Sequence, residues 1–199
     1  MSGFTRRTAL YGVATGSVVA LAGCTEAGDP VPGGDGSDGD PGDGSDGERS
    51  FVVQQTGSAL SRPGWNRTER RGFCALFAAE DDRSRLRDGA PESVREFVEE
   101  TDFAESVLCY VESVGPNTCY DEITFDPIGL GVKDGTLVGD ATVAGPGDDD
   151  AACGEAITYS GALVRVTGGP LPDAARISIT DGWGETGTVR CDGGSLDPD

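Results

Sequence analysis

The amino-acid sequence predicts a mainly β domain, a sandwich or barrel-like fold carrying one short helix. Three observations point there. About eight short runs rich in Val, Ile, Leu, Tyr and Thr recur between Phe51 and Cys191; Gly, Pro, Asp and Asn punctuate them; and a single stretch has apolar residues at helical spacing. Residues 50–199 are read as one domain. A chain of that length buries about two-thirds of its unfolded surface, enough for a sizeable core.

The elements follow in order. Phe51, Val52 and Val53 open the domain as a short strand, and a loop runs from Ser58 to Arg71. Within it, Asn66, Arg67 and Thr68 form an N-glycosylation sequon, which suits an exposed loop on an exported protein. Phe73 to Phe77 is a compact apolar run, read as a buried strand. Pro91 stands where a helix begins, and Val94, Phe97 and Val98 fall at i, i+3 and i+4 among acidic and basic neighbours. From Ser106 the period changes. Ser106–Val114 and Cys119–Phe125, joined by Gly115, Pro116 and Asn117, read as a hairpin, and Asp134-Gly135 marks a second one. Ala156–Val166, Ala174–Thr180 and Thr186–Cys191 supply the remaining strands.

Ahead of the domain lie two segments of another kind. Residues 1–23 have the three parts of an export signal: a polar start with Arg6 and Arg7, a weakly apolar run from Thr8 to Ala20, and the end Leu21-Ala22-Gly23 before Cys24. The run is interrupted by Gly12, Thr15, Gly16 and Ser17 and is shorter than the roughly 20 apolar residues a spanning helix needs. The arginine pair resembles a twin-arginine signal, although Ala9 stands where that pattern has Phe, so the general secretory route also remains open. Leu-Ala-Gly-Cys resembles a lipobox. That resemblance implies cleavage before Cys24 and a lipid on its sulfur, anchoring the chain through about 0.8 kcal/mol per buried methylene. Residues 24–49 then form a Gly/Asp/Pro/Ser tether, which has too little apolar surface to offset the cost of ordering it and is expected to be disordered. Asp35, Asp38, Asp40, Asp43 and Asp46 are close-set, but they lack the alternate-residue spacing, the terminal bidentate Glu and the flanking helices of a calcium loop.

Charge constrains partners. The chain carries 35 acidic against 15 basic residues, and Lys133 is the only lysine. Loss of residues 1–23 removes Arg6 and Arg7 alone, so 35 acids face 13 bases and the mature chain stands near −22. Such self-repulsion loosens a compact domain in dilute buffer, while at about 1 M salt the Debye length is about 3 Å and most of it is screened. Nucleic acid is disfavoured as a partner, because phosphate contacts need a net basic face.

Five cysteines remain beside Cys24: Cys74, Cys109, Cys119, Cys153 and Cys191. Two disulfides and one thiol is the simplest arrangement in an oxidising compartment. The strand reading suggests Cys109–Cys119 across the first hairpin and Cys153–Cys191 across the final strands, with Cys74 a buried thiol in the most apolar run. No metal ligand set and no cofactor site is read, since neither a C-x-x-C pair nor any histidine is present. The lack of histidine also removes Ser-His-Asp and Cys-His catalysis. No catalytic residue is assigned. A pair of carboxylates would still serve a glycosidase.

Two features point to contacts. Trp183 lies between glycines in Thr180–Glu185, a turn where its ring either stands out as a platform or folds over the core. Asp148, Asp149 and Asp150 form an acidic run that either is solvated or holds calcium.

With the signal, the lipobox motif and the acidic tether in view, residues 1–49 resemble those of uncharacterised lipoproteins of haloarchaea. Over about twenty residues, 97–115, the helix end, Asp102-Phe103 and the strand from Val107 are similar to a bacterial family of protease-complex inhibitor domains, although that pattern lacks the cysteines seen here. The expected function is a lipid-anchored binding or interaction module on the extracytoplasmic face of the cell membrane, taking a surface protein or a small ligand. The alternatives are a carboxylate-dependent enzyme on envelope glycans, an inhibitor-like regulator and a purely structural envelope role.

Overall fold

The computed structural model describes residues 49–60, 64–146 and 152–193. The export signal with Arg6 and Arg7, Cys24, the tether aspartates and Asp148–Asp150 lie outside the described residues.

Nine strands are described: β1 (Ser50–Gln55), β2 (Gly72–Phe77), β3 (Ser106–Gly115), β4 (Glu122–Phe125), β5 (Gly131–Lys133), β6 (Thr136–Ala144), β7 (Thr158–Thr167), β8 (Ala174–Thr180) and β9 (Thr186–Asp192). One α-helix, α1 (Glu92–Glu99), and a 3-10 turn at Glu80–Arg85 lie between β2 and β3. The chain forms a β-sandwich. Its inner sheet has the order β1-β7-β3-β2, all antiparallel. Its outer sheet has the order β4-β6-β8-β9, with β4 and β5 lying end to end along one edge of β6 and with β6 and β8 parallel. No closed barrel forms.

The expected strand regions are present, but one connection differs. Ser106–Val114 and Cys119–Phe125 do not make a hairpin, because β3 sits in the inner sheet and β4 in the outer. The Asp134-Gly135 hairpin does form, and both residues take positive φ, 51° and 73°, as the primed turn demands. The 3-10 turn had no apolar period to betray it. It is held by Asp82, whose carboxylate accepts from the Ala78 and Ala79 amides at 2.8 and 3.1 Å and pairs with Arg85 at 2.9 Å.

The inner sheet is covered on both faces, which explains why β2 and β3 are buried at every residue instead of alternating. On one face Leu76, Cys109, Val111, Val164 and Val166 meet Leu137, Ile177, Ile179 and Val189 of the outer sheet. On the other, Phe73, Phe77, Leu108 and Tyr110 meet Val94, Phe97 and Val98 of α1 together with Ala59, Leu60 and Trp65 of the loop after β1. Arg165 of β7 lies over the Phe97 ring at 4.0 Å, clamping the helix to the sheet. Burying each large side chain of α1 contributes about 1.5–3 kcal/mol, which outweighs the weak propensity of so short a helix.

Both edges of the sandwich are closed. At one, the Gln55 side chain copies a backbone pair: its amide nitrogen donates to the Ile123 carbonyl at 2.7 Å and its oxygen accepts from the Ile123 amide at 3.0 Å. At the other, Gly72 opens β2 where a Cβ would lie 2.6 Å from both the Glu112 carbonyl and Ile179 Cδ1. Any side chain there would push the sheets apart.

The disulfide corrects the expected pairings. Cys119 bridges Cys153, with Cα atoms 5.5 Å apart, while Cys74, Cys109 and Cys191 are free thiols. Neither Cys109–Cys119 nor Cys153–Cys191 forms. Without a β3–β4 hairpin, Cys109 points into the inter-sheet core and Cys119 lies beyond the end of β3, beside the segment that leads into β7. Thr118 fixes that approach, its amide donating to the Gly154 carbonyl at 3.0 Å and its hydroxyl accepting from the Gly154 amide at 2.8 Å. The bridge spans 34 residues. Loop closure of that length corresponds to about 3–4 kcal/mol, so Cys119→Ser is expected to lose about that much in denaturant unfolding, and reductant is expected to lower the wild-type midpoint to match.

Candidate anion-binding face

The inner sheet is covered on both faces at β2 and β3 and open only toward its β1 edge, whereas the outer sheet shows one side to solvent. Along β8 and β9 the burial alternates: Ala175, Ile177, Ile179 and Val189 point into the core, and Arg176, Ser178, Thr188 and Arg190 point away. The antiparallel register places Arg176 directly opposite Arg190. Val138 lies beside Arg176 on β6, and Lys133 ends β5 on the far side of β6. Three exposed cations thus share one open face in a chain of net charge −20. Like charges opposed across strands destabilise by roughly 0.2–1 kcal/mol. Among the described residues, the side chains of Lys133, Arg176 and Arg190 make no hydrogen bond and no ion pair. The chain's many carboxylates have not been used to neutralise them.

The same residues line a depression of about 1220 Å³. Arg70, Lys133, Arg176 and Arg190 line it, against only Asp134 and Asp192 of opposite sign. That four-to-two excess of bases reverses the 15-to-35 balance of the whole chain. Asp140 lies next to the cations in a smaller adjoining hollow. The face can take an anionic group in the forked donors of its two arginines.

The thiols converge at the same place. Cys74 on β2 and Cys191 on β9 both line the depression, and Cys109 on β3 lies fully buried behind them. Cys191 is within hydrogen-bonding reach of both partners: the Cys109 and Cys74 thiols pull it down to about 5, whereas its own presence and burial push both of theirs up. Among the described residues no group of His, Cys, Asp or Glu is arranged to hold a metal ion.

Trp183 closes the β8–β9 hairpin and is half exposed, at 49%. The turn beneath it is rigid. Buried Asp181 accepts from the Trp183 and Glu185 amides at 2.9 and 3.0 Å, Gly184 takes φ 81°, and Arg71 pairs with Asp181 at 3.5 Å and with Glu185. Asn66 is exposed, its side-chain oxygen accepting from the Thr68 amide and hydroxyl at 3.0 and 2.8 Å, so the sequon is accessible.

A second polar cluster lies on the opposite side of the inner sheet. Glu112 is fully buried, accepting from Trp65 Nε1 at 2.8 Å and from the Tyr110 hydroxyl at 2.5 Å. Tyr110 Oη in turn accepts from the Ala59 amide at 3.3 Å. This cluster ties the 56–71 loop to the sheet. Burial raises the Glu112 carboxyl above its ordinary 4.5, and the hydrogen bonds from Tyr110, Trp65 and Ser58 only partly offset it. Burial and the neighbouring Glu112 push the Tyr110 hydroxyl up as well.

Arg176 and Arg190 were not singled out from the sequence; the signal that would pair them is that each lies seven residues from Trp183 at the hairpin centre. The placing of Lys133 beside them follows from β5 and β8 flanking β6, and the thiol cluster from the sandwich; neither had a local signal. Comparison with protein-family models, with curated proteins and with solved structures finds no match for this chain.

The raised Glu112 carboxyl has a defined sign. The folded state holds that proton more tightly than the unfolded one, so stability falls as pH rises from 4.5 through the raised folded value. In urea titrations at fixed high salt, Glu112→Gln is expected to lose this slope. Glu112→Ala is expected to cost about 2–4 kcal/mol, because it strands the Trp65 and Tyr110 donors.

Proposed function

We propose that this chain is a lipid-anchored, extracytoplasmic binding module whose open outer-sheet face takes an acidic polymer of the cell envelope, one bearing carboxylate or sulfate groups. The observation that carries the reading is the unpaired cation group Lys133, Arg176 and Arg190 in a chain with 35 acids. Charges left opposed at the cost of folded stability are explained when a ligand anion sits between them. The face is open and extends along the hairpin toward Trp183, which suits a polymer segment better than a small enclosed substrate. Export and anchoring rest on residues 1–24 and the tether, and the acidic remainder of the surface suits a high-salt environment.

Two measurements test the reading. Binding of the full chain to dextran sulfate, with uncharged dextran as control, is expected to weaken as salt rises. The double variant Arg176→Glu, Arg190→Glu is expected to lose at least about tenfold in affinity, since each hydrogen bond to a charged group contributes about 1.5–3 kcal/mol. The single Arg190→Glu should at the same time stabilise the free protein by roughly 0.2–1 kcal/mol, because it turns a repelling cross-strand pair into an attracting one. Equal binding by the double variant would remove this face as the site. For the anchor, Cys24→Ser is expected to move the protein from the membrane fraction to the soluble fraction, and retention in the membrane would overturn lipidation there.

A further inference from the structure

Three thiols from three strands meet at one point of the sandwich. Two of them, Cys74 and Cys191, stand on the facing edge strands of the two sheets and open into the depression. Cys109, the diagonal neighbour of Cys74 on the same face of the inner sheet, is enclosed behind them. The partly exposed Cys191 stands against two buried cysteines at the rim of a depression that basic side chains also line. The thiolate is the attacking form, and at Cys191 the two neighbouring thiols favour it, outweighing burial and the nearby charge of Asp192.

We propose that Cys191 is a redox-active nucleophile that reduces a low-molecular-weight disulfide of negative charge, with Cys74 as the thiol that resolves the intermediate. The electron acceptor is the small disulfide itself. In the first step the Cys191 sulfur attacks one sulfur of the substrate, the substrate S–S bond breaks, and one substrate thiolate leaves while a mixed disulfide forms on Cys191. In the second, Cys74 attacks the Cys191 sulfur, the mixed bond breaks and the second substrate thiol leaves with the proton Cys74 gives up. Two protein thiols are oxidised and one disulfide is reduced to two thiols, with a Cys74–Cys191 bridge joining β2 to β9.

The cluster orders these steps. While Cys191 is a thiolate, the hydrogen bond to it and its charge both hold the proton on Cys74. Once Cys191 is capped, both of these influences are gone and only burial still holds the proton on Cys74, so it is released more readily than before. The resolving thiol is thus restrained until there is an intermediate to resolve. Cys109, whose thiol points its proton at the Tyr110 carbonyl at 3.9 Å, packs behind Cys191 and acts through it as a positioning residue.

The preference for an anionic disulfide rests on the electropositive reading of the depression, whereas the thiol chemistry does not. The test uses the full chain with its free thiols reduced, and glutathione disulfide as the probe. About two glutathione molecules per chain are expected to be released, and peptide mapping is expected to show Cys74 joined to Cys191 with Cys119–Cys153 intact. Cys74→Ser should release one and retain glutathione on Cys191, and Cys191→Ser should release none. Cys109→Ala should slow the release yet still end in the Cys74–Cys191 bridge. Unreacted thiols in the native chain, release from Cys191→Ser at the wild-type rate, or a bridge to any other cysteine overturns the proposal. Glutathione disulfide is expected to react about tenfold faster than the cationic disulfide cystamine, against the pull of the chain's net charge. With Arg176 and Arg190 both changed to Glu, that preference should reverse while the bridge still forms. A wild-type preference for cystamine overturns the anion reading and leaves the thiol chemistry standing.

Discussion

The arrangement of this domain depends on the inner sheet being enclosed on both faces. β3 is the central constraint: it pairs with β2 and β7 along nearly its whole length, has no exposed residue, and sends alternate side chains into two separate cores. The outer sheet packs on one side and α1 with the 56–71 loop on the other. This leaves the outer sheet as the layer with the broader solvent-facing side, while the inner sheet is exposed toward its β1 edge at Val52 and Val53. The closures at Gln55 and Gly72 hold the layers in register, and the second brings β2 close enough to the outer sheet for Cys74 to share a depression with Cys191.

Electrostatics then separates the surface into two characters. Most of the described surface carries carboxylates, whose mutual repulsion salt relieves. The open face of β5, β6, β8 and β9 instead gathers unpaired cations, two of them directly opposed. Elsewhere the chain does pair its arginines, as at Arg71 with Asp181 and Arg85 with Asp82. Pairing was therefore open to this sequence and was not used at Arg176 and Arg190. That contrast gives the binding reading its physical content.

Polar groups inside the sandwich follow the same economy. Glu112 is enclosed with donors on both oxygens, because a buried carboxyl without partners would cost far more than the apolar residue it replaces. It joins the loop after β1 to the face of the inner sheet remote from the cations. The thiols at Cys74, Cys109 and Cys191 pack together, and Cys191, the one nearest solvent, is the one pulled down toward the thiolate form.

Much of the fold was legible in the sequence because its signals are local. Val94, Phe97 and Val98 mark the helix by period, Asp134-Gly135 marks a turn that needs positive φ, and the alternation in β8 and β9 tells which residues face out. The Arg176–Arg190 pair could be counted from the hairpin centre. What local signals do not carry is which sheet a strand joins. The glycine and proline after β3 read as a hairpin turn, yet the chain crosses to the other sheet there, and that crossing separates Cys109 from Cys119 and hands Cys119 to Cys153. By itself the sequence determined the class of fold and its strands and helix, since these depend on neighbours a few residues apart, and the acidic character of the chain, which follows from composition. Only the tertiary structure decided the disulfide, the union of Lys133 with the two arginines and the meeting of three thiols. Those depend on long-range packing of apolar faces, which fixes positions far apart in the chain without leaving a mark on any one of them.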